Sequence, residues 1–157
     1  MGNVDQLDFY EKPAANSDVK EKKTDALFMD EFISIEFDAA NQWLYVNWIG
    51  YQSEESIKKG CEKILEAMTG CRVGKVLNDN TNVIGIWTPA SNWFGSNWLP
   101  RMEAAGLKQF AWVYSPSRLS QLSTNEAINS TPAPNLVHTF YNKADAEKWL
   151  SHSAVSQ

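Results

Sequence analysis

Positive charge, cysteine, histidine and long apolar runs are all scarce in this chain of 157 residues. The 14 Lys and Arg stand against 19 Asp and Glu, giving a net charge of −5 and a pI near 5.0, and the basic residues are scattered. A surface that tracks phosphates needs clustered positive charge, so neither nucleic acid nor an anionic membrane surface is an expected partner. No stretch approaches the roughly 20 apolar residues that span a bilayer, and the first residues have neither the basic start nor the apolar core of a secretory leader. The expected location is the cytoplasm. Gly2 of "MGNVDQ" fits a myristoylation signal, but Gln6 stands where a hydroxyl residue belongs, so lipidation is not expected.

Catalytic and metal-binding patterns are missing as well. His138 alternates within a predicted strand and His152 lies near the end of the chain, so neither has metal-ligand spacing or triad partners. There is no glycine-rich phosphate loop, dinucleotide fingerprint or Gly-x-Ser-x-Gly elbow. Glu36, Asp38 and Asp79 are acids of a suitable type, and turn roles explain them equally well. The chain reads as a non-enzyme with no cofactor and no metal. Of its 2 cysteines, Cys61 falls on the apolar stripe of a predicted helix and reads as a buried thiol, while Cys71 sits in a more exposed Gly70-Cys71-Arg72 turn, where one adjacent charge is weak evidence of a reactive thiolate.

What is present is 43% hydrophobic residues, enough for one core. Residues 1–25 mix charges with few aliphatics and read as a disordered tail in which Phe9 and Tyr10 stand out; 26–152 form one domain, and 153–157 a frayed end. "FISIEF" and "WLYVNWIG" across a polar turn predict a hairpin. Ser53 caps a helix carrying Ile57, Cys61, Ile64, Leu65 and Met68 on one stripe and ending near Gly70, with Glu54–Lys58 and Glu55–Lys59 pairs outside. "GKVLND" is a strand, and Thr88 and Pro89 open a helix that Pro100 kinks and Gly106 closes. "QFAWVY", a helix after Pro116, "LVHTFY" and a helix capped by Asn142 complete the order ββαβαβαβα. Strands separated by helices predict a mixed, mostly parallel sheet of about five strands, with helices packed on it.

This order, with "WIGYQSEES", "VLNDN", "AAGLKQFAWVYSP" and "FYNKADAEKWL" in their places, resembles the SpoIIAA-like or STAS fold, and within it the small stand-alone bacterial STAS-like proteins, over about residues 27–151. The resemblance implies a regulatory or protein-interaction module. In the anti-sigma-factor antagonist branch, a serine beside an acid after the third strand is phosphorylated; here Asp79 keeps the acid, Asn80 and Thr81 follow, and Thr81 is the nearest hydroxyl.

Two stretches hold the candidate site residues. Asp79, Asn80, Thr81 and Asn82, placed in the loop after the third strand, are candidate partner contacts, with Thr81 a candidate switch; the competing reading is a turn made by Asn and Asp side chains. Trp87, Trp93 and Trp112 are candidates for lining a small apolar or lipid pocket, by analogy with CRAL-TRIO domains, or for an association patch such as a homodimer surface. Phe94, Trp98, Met102 and Ala105 share a helical stripe and read as core.

Overall fold

The hairpin forms where the alternation and its turn residues place it. Strands β2 (Ile33–Asp38) and β3 (Trp43–Gly50) pair antiparallel from Ile33 opposite Trp48 to Asp38 opposite Trp43. Asp38 closes the turn by accepting from Asn41 N at 3.0 Å and Asn41 Nδ2 at 2.9 Å. The structure, a computed structural model, describes residues 24–152. It begins with a strand that the sequence reading did not anticipate, β1 (Thr24–Met29), antiparallel to β2. A register shift between Ala26 and Phe28 breaks the strand's period of two, and Phe28 packs on the core. "TDALFM" therefore lacks the alternation by which a strand is read. Thr24 and Asp25 belong to this strand rather than to a tail; the rest of the predicted tail and residues 153–157 lie outside the described residues.

Helix α1 (Glu54–Cys71) starts with a reciprocal cap: Ser53 Oγ accepts from Ser56 N at 3.0 Å and Ser56 Oγ accepts from Ser53 N at 2.9 Å. Ile57, Cys61, Ile64 and Met68 are buried as the spacing predicts. The helix ends at Cys71, near Gly70 as expected, and closes on Arg72 in the left-handed region (φ 58°). Glu54 pairs with Lys58 at 3.1 Å, but Lys59 turns to Asp30 at 3.6 Å instead of Glu55. Burial pushes the Cys61 thiol well above its ordinary value, the Glu62 charge adding to it. Cys71 also moves up, through burial and then the charge of Asp25.

The predicted second helix is three pieces: α2 (Thr88–Trp93), a π-helical turn (Phe94–Trp98) and α3 (Leu99–Ala104). Pro100 has no N–H and its ring crowds the carbonyl four residues back, and the wider turn sits just before it, with Leu99 N donating to Phe94 O. Trp87 occupies the N-cap position expected of Thr88, whose hydroxyl shares a 3.0 Å bond with Ser123 Oγ instead. Gly95 in the π turn lies directly on helix α4 (Arg118–Ser130), where a Cβ would stand 2.0 Å from Ala127 O. That approach needs small residues on the α4 side as well, and its buried residues are Ser120, Ser123, Thr124 and Ala127.

Strands β4 (Lys75–Val83), β5 (Gln109–Val113) and β6 (Val137–Phe140) extend β3 in parallel, so the sheet runs β1-β2-β3-β4-β5-β6. From β2 onward the order is the expected ββαβαβαβα, with six strands in place of about five. Each parallel strand is added on the same side of the last, so right-handed crossovers put α1, α2–α3 and α4 on one face. That face carries the larger core, including Trp48, Phe94, Trp98, Phe110 and Trp112. Helix α5 (Lys143–His152), capped by Asn142 Oδ1 accepting from Asp145 N at 2.8 Å, covers part of the other face through Ala146 and Leu150.

The fold yields two checks by thermal or denaturant unfolding. Gly95→Ala drives a Cβ into backbone that cannot yield, and a loss of about 3 kcal/mol is expected; Gly70→Ala, with nothing within 4 Å and a helical backbone, is expected to stabilise by up to about 1 kcal/mol. Arg101 donates to both carboxylate oxygens of Glu62 at 2.7 Å, and this bond first, then the Arg101 charge, holds Glu62 below the ordinary carboxylate value. A depressed pKa contributes stability that is full above the unfolded value and lost as pH falls through the folded one. With the side chains 43% and 49% exposed, Glu62→Gln should cost no more than about 1 kcal/mol at neutral pH. The difference from the parent should vanish as pH drops below the ordinary glutamate range.

Candidate functional site

The polar run from Asn78 to Asn82 lies inside strand β4, not in a loop after it. Pairing with β3 continues past Asp79 to Asn82 opposite Ile49 and Val83 opposite Gly50, with a register shift between Asn47 and Ile49. Asn and Asp disfavour strands, which is why the sequence reading ended the strand at Asp79; pairing and burial override that preference. The turn reading is corrected with it: the bonds these side chains make are mainly to other side chains of the sheet.

Alternation divides the run between the two faces. On the helix-covered face, Asn78 Oδ1 accepts from Trp48 Nε1 at 2.9 Å and Asn78 Nδ2 donates to Asn80 Oδ1 at 3.5 Å. On the other face, Asp79 accepts from Tyr45 OH at 2.6 Å, from Thr81 N at 3.0 Å and from Thr81 Oγ1. Burial, then the bond to Asp79 and the charges of Asp79, Glu36 and Glu147, push the Tyr45 phenol well above its ordinary value and keep it a donor. Lys143 Nζ lies 4.1 Å from the centre of the Tyr45 ring. Asp79 and Asn80 are 4% and 3% exposed and cannot touch a partner from where they stand, whereas Thr81 and Asn82 are exposed. Asn82 Nδ2 donates to Asn47 Oδ1 at 3.1 Å.

The three candidate tryptophans are not brought to one pocket. Trp87 and Trp112 stack in the core with ring centres 6.0 Å apart, while Trp93 is half-buried under Lys58, whose Nζ lies 5.4 Å from its ring. Trp87 and Trp112 do border a cavity together with Trp48, Gln52, Asn78 and Asn80. The cavity is small, with room for about one water. Drug-sized ligands occupy pockets of roughly 300 Å³ and more, so the packed rings leave no room for a lipid.

Two residues that line this cavity carry donors without a partner among the described residues. Trp48 and Trp98 each bond through the indole nitrogen, to Asn78 Oδ1 and to Cys61 O at 2.8 Å, but Trp87 Nε1 and Trp112 Nε1 are buried with no acceptor among the described residues. Each such group costs about 1–3 kcal/mol. Trp48 and Gln52 were not among the residues to which the sequence pointed.

Exposed apolar side chains gather beside the end of β4. Tyr51, Ile84, Ile86, Leu119 and Leu122 are 46–71% exposed. Ile84 and Ile86 flank Gly85, whose positive φ of 81° disfavours a side chain and whose built Cβ would stand 2.9 Å from the Tyr51 ring. Gly85 O accepts from Ser120 Oγ, which ties the loop to α4 beside Leu119 and Leu122. Ile84 N donates to Gly50 O at 3.2 Å, next to Tyr51.

Fold and site together define an α/β domain with one mixed sheet, a buried amide and indole cluster at the carboxyl end of its strands, and an apolar rim beside it. Among the described residues, no group of three or more His, Cys, Asp or Glu could hold a metal ion, and no helix is long and apolar enough to cross a membrane. No family model and no curated protein matches the chain. Among solved structures, the chain is similar to an uncharacterized protein of the DUF3478 family with a SpoIIAA-like fold from Shewanella loihica PV-4. The identity is 20%, over 79% of this chain and 98% of that one, with a TM-score of 0.47.

The Asp79 network sets a graded expectation. Tyr45→Phe removes one donor and should cost about 1 kcal/mol, while Asp79→Ala strands the Tyr45 hydroxyl and the Thr81 N–H and should cost about 2–3 kcal/mol. Urea unfolding of both variants checks the order, and equal losses would contradict the network.

Proposed function

We propose that this chain is a non-catalytic regulatory module that docks a protein partner on the rim around Gly85. The observation that carries the reading is the cluster of Tyr51, Ile84, Ile86, Leu119 and Leu122, each well exposed, around one loop. Scattered apolar side chains are ordinary on a soluble protein, but a contiguous group marks an association surface. Exposed Asn82 pairs in register with Ile49 at the border of the rim, and Thr81 precedes it. Asp79 and Asn80 serve as positioning residues, holding the strand from either face, and Thr81 and Asn82 as contacts.

Thr81 is the residue that a kinase would modify. A phosphate on it brings up to about two negative charges against the Asp79 carboxylate that now accepts its hydroxyl, and repulsion disturbs the end of β4 where the rim begins. The cytoplasm is the compartment where such a switch operates.

The test is photo-crosslinking in the chain's own host, with the reactive side chain at Ile86 and, as a control on the far face of α1, at Glu66. A discrete product from position 86 alone, lost in Tyr51→Ser/Leu122→Ser and reduced at least several-fold in Thr81→Glu, is the expected result. A product of twice the chain's own mass identifies the partner as a second copy. No product at 86, or equal products at both positions, overturns the reading.

A further inference from the structure

The two edges of the sheet are built differently. β1 is broken by the register shift between Ala26 and Phe28 and carries Asp25, and a bulge and a charge are both devices that keep an edge strand from pairing with another chain. β6 has the sequence VHTF, without proline, Asp, Glu, Lys or Arg, and pairs with β5 in unbroken register. Along a strand, successive residues turn their N–H and C=O groups alternately to one side and to the other. Tyr114 N donates to Phe140 O at 2.8 Å, so Phe140 and, two residues back, His138 turn their backbone groups to β5. Val137, Thr139 and Tyr141 turn theirs outward. The Val137 N–H is used by Pro134 O. The N–H and C=O of Thr139, the C=O of Val137 and the N–H of Tyr141 have no partner among the described residues.

We propose that β6 is the pairing edge for a second copy of this chain, the two β6 strands running antiparallel about a twofold axis that passes through Thr139 at right angles to the sheet. Such an axis keeps each face of the sheet on its own side, so residues of the same face meet across it. His138 and Phe140 lie on the α5 face, their ring centres 4.4 and 5.8 Å from that of Trp149, while Val137 belongs to the larger core on the opposite face. Centred on Thr139, the pairing sets Thr139 against its own copy, Val137 against Tyr141 and His138 against Phe140, which respects both faces. The backbone phase agrees with the side chains. Thr139 exchanges N–H and C=O with its copy, and each Tyr141 N–H meets a Val137 C=O. Threonine with threonine and a β-branched with an aromatic residue are favourable cross-strand pairs, and no like charges fall opposite each other. Tyr141, 78% exposed, gains a neighbour. An edge with few outward groups offers a free peptide little in return for its ordering, whereas a second copy brings a strand already fixed by its own sheet. The strip is narrow, so the association is reversible and depends on concentration. It is separate from the docking rim around Gly85, and its test requires no other protein.

Sedimentation velocity of the full chain, from about 1 µM to about 1 mM, reads the association, and amide hydrogen exchange at both ends of that range reads where it occurs. The expected result is a monomer–dimer equilibrium in which the Thr139 amide exchanges more slowly as the dimer forms. Thr139→Pro removes only an outward N–H, which an edge strand tolerates, and should weaken the dimer about tenfold or more, because the axis removes the bond twice. Thr139→Lys sets two like charges face to face without altering the backbone and should act in the same direction. Tyr51→Ser/Leu122→Ser, on the rim, should dimerise as the parent does. A monomer at every concentration overturns the proposal. So does a dimer that keeps its strength in Thr139→Lys, loses it in the rim variant or leaves exchange at Thr139 unslowed; the exchange readout uses the unmutated chain, so a poorly folding variant leaves it intact.

Discussion

Right-handed crossovers, applied to strands that are always added on the same side, are the constraint from which the rest of the molecule follows. β3, β4, β5 and β6 lie in chain order, so each connecting helix must pass over the same face. That face becomes a thick core of interlocked rings, with Phe94 4.7 Å from Trp98 and 4.8 Å from Trp112 between ring centres. The opposite face receives helix α5 and a smaller cluster around Trp43, Leu77, Ala111 and Val113. A strand such as β4 therefore meets two environments in alternate residues. Asn78 and Asn80 face the crowded side, while Asp79 answers Tyr45 on the thinner one.

Crowding on the helical face explains the irregular second helix. Gly95 has to pass within van der Waals reach of the α4 backbone, and Phe94 and Trp98 have to turn inward on either side of it. A regular helix carrying Pro100 would meet the steric conflict that proline creates one turn back; the π turn resolves it and keeps both rings inside. The serines of α4 belong to the same solution. They are small enough for close approach, and Ser91 Oγ donates to Ser123 O at 2.8 Å while Trp87 N donates to Ser123 Oγ at 2.9 Å.

Legibility in the sequence followed how strongly each segment repeats. The hairpin, the Ser53 cap and the apolar stripe of α1 have clean periods, and each lies where the residues place it. β1 was missed because its bulge breaks the period. β4 was cut short because Asn and Asp were weighed by their preference for turns, and a register shift past Asp79 breaks its period as well. Trp87 and Trp112 were legible as residues of interest, but their packing was not, since it depends on crossovers that bring Trp87 over β5. The grouping of Tyr51, Ile84, Leu119 and Leu122 was invisible for the same reason: their neighbourhood exists only once α4 is tied to Gly85.

The asparagines of β4 are where local preference and global fold disagree most openly. A strand buried on both faces is ordinarily a run of Val, Ile and Leu, and Val76 and Leu77 begin β4 in that way. From the next residue on, the same strand holds amides, Asn78 and Asn80, that Trp48 and one another must satisfy, against two indole nitrogens without an acceptor among the described residues. Replacing such a cluster with aliphatic side chains would remove desolvation costs and unpaired donors together. Natural sequences break their own local rules mainly at functional or strained positions. The break here is confined to the carboxyl end of the strand, within a few residues of the exposed rim at Ile84 and Ile86, so the unusual polarity of the interior and the unusual apolarity of the surface converge on one end of one strand.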